Sequence, residues 1–150
     1  MRVLLALFVA GSVVCAILVA RAEPAPDPAG GVDGIAAWLQ QVTGECTGVR
    51  KGEDFAAFVG PVRAKVYGPY IAEWGTCSKP PYEQLGLLVL RPGLEEGWRA
   101  ALARGEVKGD PDLVFGDGFA ITGSTGMEHL GLKRLECTLT ACALIPIKHH

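Results

Sequence analysis

The run Leu85-Gly86-Leu87-Leu88-Val89-Leu90, followed by Arg91-Pro92-Gly93 and the segment Leu94-Glu95-Glu96-Gly97-Trp98-Arg99-Ala100-Ala101-Leu102-Ala103-Arg104, decides the fold class of this chain. Nearly continuous apolar residues suit a strand buried on both faces, because a face open to water would carry polar residues at every second position. The segment after it has helix punctuation. Pro92 stands near the first turn, Glu95 and Glu96 lie where the helix dipole favours anions, and Gly105 follows Arg104. Leu94, Trp98, Ala101 and Leu102 share one face of that helix. A second apolar run, Leu113-Val114-Phe115, completes a βαβ-like unit around which the domain packs.

Downstream, Gly116-Asp117-Gly118 separates Leu113-Val114-Phe115 from Phe119-Ala120-Ile121-Thr122. The triplet fits either a glycine bulge in one long strand or a tight hairpin, and glycines on both sides of Asp117 favour the hairpin. Gly126 to Leu132 predicts a brief helix, and Leu135 to Ile147 one or two terminal strands. Upstream, Asp33 is placed to cap a helix with Ile35, Trp38, Leu39 and Val42 inward and Gly44 as its stop. Glu45 to Val49 reads as a short strand, and Arg50-Lys51-Gly52 as a turn. Helical turns with Phe55, Phe58 and Val59 inward follow, halted by Gly60-Pro61. Tyr70 to Trp74 has the composition of a strand, and Pro80-Pro81 predicts an irregular connection into the central one. The fold class is therefore α+β, a small two-layer sandwich. Its element order resembles a ferredoxin-like βαββαβ layout with a leading helix.

Length and charge bound the function. A chain of 150 residues with a formal charge of -2 holds one domain. Removing Arg2 and Arg21 from its 14 Lys and Arg leaves 12 against 16 Asp and Glu, so residues 23–150 carry -4. With no basic patch, the chain lacks the electrostatic footprint of nucleic-acid binding.

Val3 to Ala20 is apolar and uncharged, between Arg2 and Arg21. A run of about 18 such residues fits either a signal peptide or a membrane anchor. Ala20-Arg21-Ala22 supplies the small-x-small pattern that cleavage requires, and Cys15 reads as a small hydrophobe within the apolar helix. Residues 23–34, with Pro24, Pro26 and Pro28, read as a Pro/Gly-rich tether. The expected organisation is 1–22 signal or anchor, 23–34 tether and 35–150 a single α+β domain.

Four short motifs, Gly44-Glu45-Cys46-Thr47, Glu73-Trp74-Gly75-Thr76-Cys77, Phe115-Gly116-Asp117-Gly118-Phe119-Ala120-Ile121 and Leu135-Glu136-Cys137, resemble those of small exported proteins of high-GC actinobacteria without an assigned function. The resemblance implies export and a compact α+β domain. It carries over no active site.

The sequence yields no catalytic, cofactor or metal set. Ser124 in Gly123-Ser124-Thr125-Gly126 lacks the spacing of a nucleophile elbow, and His129 is the one internal histidine available as its base. Ile121 stands where a dinucleotide fingerprint needs its third glycine. Asp110, Asp112 and Asp117 lack the ligand series of a calcium loop, and turn chemistry accounts for them. Glu95 and Glu96, neighbours on a helix, point about 100° apart and share no acid-base site. Trp38, Trp74 and Trp98 read as core or edge residues. Cys137 and Cys142 with His149 and His150 do not match structural zinc spacings.

In an exported domain, Cys46, Cys77, Cys137 and Cys142 read instead as two disulfides, for which three connectivities exist. Pairing Cys137 with Cys142 requires a turn over Thr138 to Ala141, which the flanking apolar segments allow. Pairing Cys46 with Cys77 is favoured alongside it, although the expected topology does not place their strands side by side. The reading that results is an exported or membrane-tethered, non-catalytic domain that binds an envelope protein or a small ligand. It touches the membrane through residues 3–20 if these are retained. A small extracytoplasmic hydrolase near Ser124 and His129 is the first alternative, and a structural envelope protein the second.

Overall fold

The computed structural model describes residues 30–106, 113–123, 125–138 and 140–147. The signal or anchor segment, most of the tether, Cys15, Asp110, Asp112, Ser124, His149 and His150 lie outside them. Among the described residues, no helix is long and apolar enough to cross a membrane.

Among the described residues, four α-helices and seven strands make up the domain. They are α1 (Gly31–Thr43), β1 (Thr47–Lys51), α2 (Phe55–Val59), α3 (Pro61–Tyr67), β2 (Ile71–Lys79), β3 (Tyr82–Leu90), α4 (Leu94–Ala103), β4 (Leu113–Phe115), β5 (Phe119–Thr122), β6 (Lys133–Cys137) and β7 (Cys142–Pro146), with 3-10 turns at Gly68–Tyr70 and Glu128–Leu130. The class is α+β, with the expected leading helix. All strands join one antiparallel sheet in the order β1-β2-β3-β5-β4-β6-β7.

The central strand is buried on both faces, as its composition requires. Leu85 and Leu87 of β3 pack with Ile35, Trp38 and Leu39 of α1. Leu88 packs with Leu94, Trp98 and Ala101 of α4 and with Val66 and Tyr67 of α3. The same alternation continues across β5, where Phe119 and Ile121 face α1 and Ala120 faces α4. Helices thus cover both faces, which adds a layer to the expected two-layer sandwich. A strand apolar on both sides needs cover on both.

The βαβ-like unit is split. Since β5 runs antiparallel to both β3 and β4 and lies between them, β3 and β4 are parallel but not adjacent. The order β3-β5-β4 corresponds to half of a ferredoxin-like layout. The closing helix and strand of that layout are replaced by a single 3-10 turn and the β6-β7 hairpin, which extends the sheet beyond β4. On the other side of β3 stands β2, from earlier in the chain.

Local differences from the sequence reading have local causes. Helix α1 starts at Gly31, so Asp33 lies in its first turn and is not its cap. A Cβ on Gly31 would meet the Glu73 carboxylate from β2, which sits at the positive end of α1 and pairs with Lys51 Nζ at 3.3 Å. Arg50 and Lys51 belong to β1, whose expected span shifts by two residues. Gly60-Pro61 ends α2 and also starts α3, because proline at the first helical position forfeits no intrahelical bond. Pro80 and Pro81, joined by a cis peptide, form the turn of a tight β2-β3 hairpin, with Lys79 paired to Tyr82, where an irregular connection was expected.

Gly116-Asp117-Gly118 makes the expected β4-β5 hairpin, closed by Gly116 N–H donating to Phe119 O at 3.0 Å. Only Gly118 uses a positive φ, 79°. Gly116 is required for space, since the Phe119 ring occupies the position of a Cβ there. Of the tryptophans, Trp38 meets Phe119 edge-on at 5.6 Å, Trp74 stacks on Phe58 at 5.2 Å, and Trp98 stacks on Tyr67 at 5.1 Å. All three are core or edge residues.

Candidate functional site

Among the described residues, a concavity lies where β3 hands over to α4. Leu90 N–H donates to Gly118 O at 2.9 Å and Arg91 N–H to Tyr70 O at 2.6 Å, which fixes the strand end against the β4-β5 hairpin and the 3-10 turn. Gly93, with φ of 101°, then turns the chain into α4 beneath the Tyr70 ring. Between the first turns of α4, the hairpin and β7 opens a cleft of about 450 Å³. Its apolar floor is Leu90, Leu94, Phe115 and Leu144, and its rim carries Arg91, Glu95, Glu96 and Asp117. A volume in the range of small-ligand sites, with an apolar floor and a few polar groups, is the usual form of a binding cleft.

Glu95, Glu96 and Asp117, read from sequence as dipole complements and turn residues, are brought to one rim by the tertiary fold, and all three are exposed. Three carboxylates against one guanidinium favour a cation. The described lining includes no histidine, cysteine, serine or lysine, so the cleft can hold a ligand through shape and charge. The shortest described ion pair is remote from it, at the far end of α4. There Arg104 donates to both carboxylate oxygens of Glu106 at 3.0 Å, which holds the Glu106 carboxyl below its ordinary value.

A second polar cluster surrounds the β2-β3 turn. Lys79 is buried, its side chain only 4% exposed, and its Nζ donates to Glu45 Oε2 and Pro80 O, each at 3.4 Å. The Tyr82 ring lies against Gly123, its hydroxyl accepts from Thr125 N–H at 3.4 Å, and Gly126 sits beside Lys79. Gly123, Thr125 and Gly126 are therefore fastened by the β2-β3 hairpin, while His129 is exposed on the 3-10 turn. Sequence reading missed Lys79. A lysine before Pro80-Pro81 looks like an exposed turn charge, and its burial depends on Glu45, 34 residues away.

Cys46 bonds Cys77, with Cα atoms 5.3 Å apart, and Cys137 bonds Cys142, at 4.1 Å. Both favoured pairings are present. The first forms because β1 and β2 are neighbours in the sheet, which the expected topology had not placed side by side. The second spans directly opposed residues of the β6-β7 hairpin. It also engages the thiolates that a zinc site with the terminal histidines would need. Among the described residues, no three His, Cys, Asp or Glu side chains converge as metal ligands.

The two crosslinks differ in access: Cys46 and Cys77 are buried, and Cys137 and Cys142 are half-exposed. Because exchange requires a thiolate to reach a sulfur, mild reduction opens Cys137-Cys142 first. Alkylation followed by peptide mapping reads the order, and labelling of Cys46 and Cys77 at an equal or faster rate contradicts it.

No family model, curated protein or solved structure matches this chain. The class that fold and site define is a disulfide-crosslinked α+β domain with helices on both faces of an antiparallel sheet. Two crosslinks that engage all four of its cysteines are the chemistry of an oxidising compartment.

Proposed function

We propose that this chain is an exported, disulfide-stabilised domain that binds a protein or small ligand at the cell envelope and performs no chemistry of its own. The observation that carries the reading is the pairing of Cys46 with Cys77 and Cys137 with Cys142, which leaves no free thiol in the folded part. The uncharged stretch Val3 to Ala20 supplies the means of export, either as an anchor that holds the domain on the extracytoplasmic face or as a signal cleaved near Ala22. The cleft between α4 and the β4-β5 hairpin supports binding, because its rim groups are exposed charges above an apolar floor. The acidic balance of residues 23–150 disfavours nucleic acid as the partner.

Topology is the direct test. A reporter active only in the cytoplasm, fused after Ile147, is silent in the intact cell, and Cys46, Cys77, Cys137 and Cys142 of freshly isolated protein resist alkylation. An active fusion, or four alkylatable thiols, overturns the reading. N-terminal sequencing of the mature chain then distinguishes a retained anchor from cleavage after Ala22.

A further inference from the structure

Among the described residues, the cleft and an outer edge of the sheet, β7, meet at Leu144. In the β6-β7 hairpin, Thr138 N–H donates to Ala141 O at 2.8 Å and Ile147 N–H to Leu132 O at 3.3 Å. These bonds fix which residue pairs of the ladder are hydrogen-bonded, because such pairs alternate in an antiparallel arrangement. Ala143 and Ile145 direct their backbone groups at β6, and Cys142 and Leu144 direct theirs away from the sheet. Pro146 ends the row, since it has no N–H.

The opposite edge is blunted. β1 has a register shift between Thr47 and Arg50 and carries Arg50 and Lys51, features that discourage pairing with another strand. On β7, the Leu144 side chain packs on the α4 side of the sheet and forms part of the cleft floor. A strand added outside β7 would therefore bring every second side chain over the cleft. The rim it meets holds Glu95, Glu96 and Asp117 against Arg91.

Building on the binding reading above, we propose that the β7 edge takes an extended peptide segment by strand addition. The segment places an apolar side chain on Leu144 and Leu94 and, two residues along, a lysine or arginine at the carboxylate rim. Backbone groups of Cys142 and Leu144 supply the pairing, and the rim selects the charge.

The test uses the oxidised full chain and a fluorescein-labelled, end-blocked hexapeptide with leucine and lysine at alternate positions among threonines. Anisotropy reads affinity, and amide shifts read the site. Saturable binding that shifts Leu144 and Phe115 is expected, with at least about tenfold weakening when glutamate replaces lysine or when Leu144→Asp is introduced. Two further peptides, N-methylated at odd or at even amides, separate strand addition from simple occupancy of the cleft. Because only alternate amides face the sheet edge, one of the two loses binding and the other keeps it. Equal binding of both, with the same shifts, overturns strand addition and leaves the binding cleft standing. Absence of any cleft shift with every peptide overturns both strand addition and the cleft as the binding site. A dimer in sedimentation that Leu144→Asp dissolves, and that excludes the peptide, makes the occupant a second copy and likewise overturns the proposal.

Discussion

Replacing Cys46 and Cys77 together by alanine lowers the unfolding free energy by about 3 to 4 kcal/mol on the chain-entropy model, for a crosslink with a sequence separation of 31. The bond ties the segment after α1 to the last third of β2, so its loss frees a loop that includes β1. Both cysteines are buried in the core beneath α1, and replacement leaves small packing defects as well. For a domain of this size the midpoint of thermal unfolding falls by on the order of 10 to 15 °C. The matching Cys137→Ala and Cys142→Ala pair closes a separation of only 5 and costs about 2 kcal/mol on the same model. Denaturant unfolding of the two double variants under oxidising conditions gives the comparison directly. A loss below about 1 kcal/mol from the first pair would falsify the assigned role of that crosslink, since the chain-entropy term alone exceeds it.

Truncating Phe119 to alanine has a comparable effect, about 3 to 5 kcal/mol, a large share of the 5 to 15 kcal/mol that holds a typical domain together. Phe119 is 1% exposed, meets Trp38 of α1 edge-on and covers Gly116 at the hairpin. Its removal opens a cavity where α1, β5 and the β4-β5 turn converge, and neither the sheet nor the helix can collapse into it without losing other contacts. Phe58→Ala serves as the contrast. Phe58 is half-buried and stacks on Trp74 near α2, so solvent already reaches its surroundings and its loss costs less. Chemical denaturation followed by far-UV dichroism measures both. If Phe119→Ala costs no more than Phe58→Ala, the core does not centre on β5 in the way described.

The candidate site was only partly legible before the fold was known. Glu95 and Glu96 could be assigned to the first turn of α4 from sequence, and Asp117 to a hairpin tip, because helix dipoles and turns act over a few residues. Nothing in the local pattern brings them together with Leu144, because that proximity depends on β4 and β6 pairing and on β7 folding back along β6. The start of α1 is a similar case. Asp33 was the nearest local cap, yet it lies inside the first turn, and a second carboxylate, Glu73, reaches that end of the helix from β2, 42 positions beyond Gly31 (73 minus 31).

By itself the sequence determined the class and most of the elements, but not helix α3 at Pro61–Tyr67, and the helix read over Gly126 to Leu132 is only the 3-10 turn Glu128–Leu130. The apolar run from Leu85 to Leu90 could only be an interior strand, the spacing of Leu94, Trp98 and Ala101 could only present one helical face, and Asp117-Gly118 could close a hairpin. Each of these follows from steric and hydrophobic preferences acting within about ten residues. The turn between Cys137 and Cys142 was legible for the same reason. The tertiary structure alone decided strand order, the second helical layer, the burial of Lys79 against Glu45, the adjacency that joins Cys46 to Cys77, and the cleft. These depend on which surfaces meet across long separations, and many strand orders satisfy the same local pattern. The order adopted is the one in which β5 lies between β3 and β4, so that α1 covers one face of the apolar centre of the sheet while α3 and α4 cover the other.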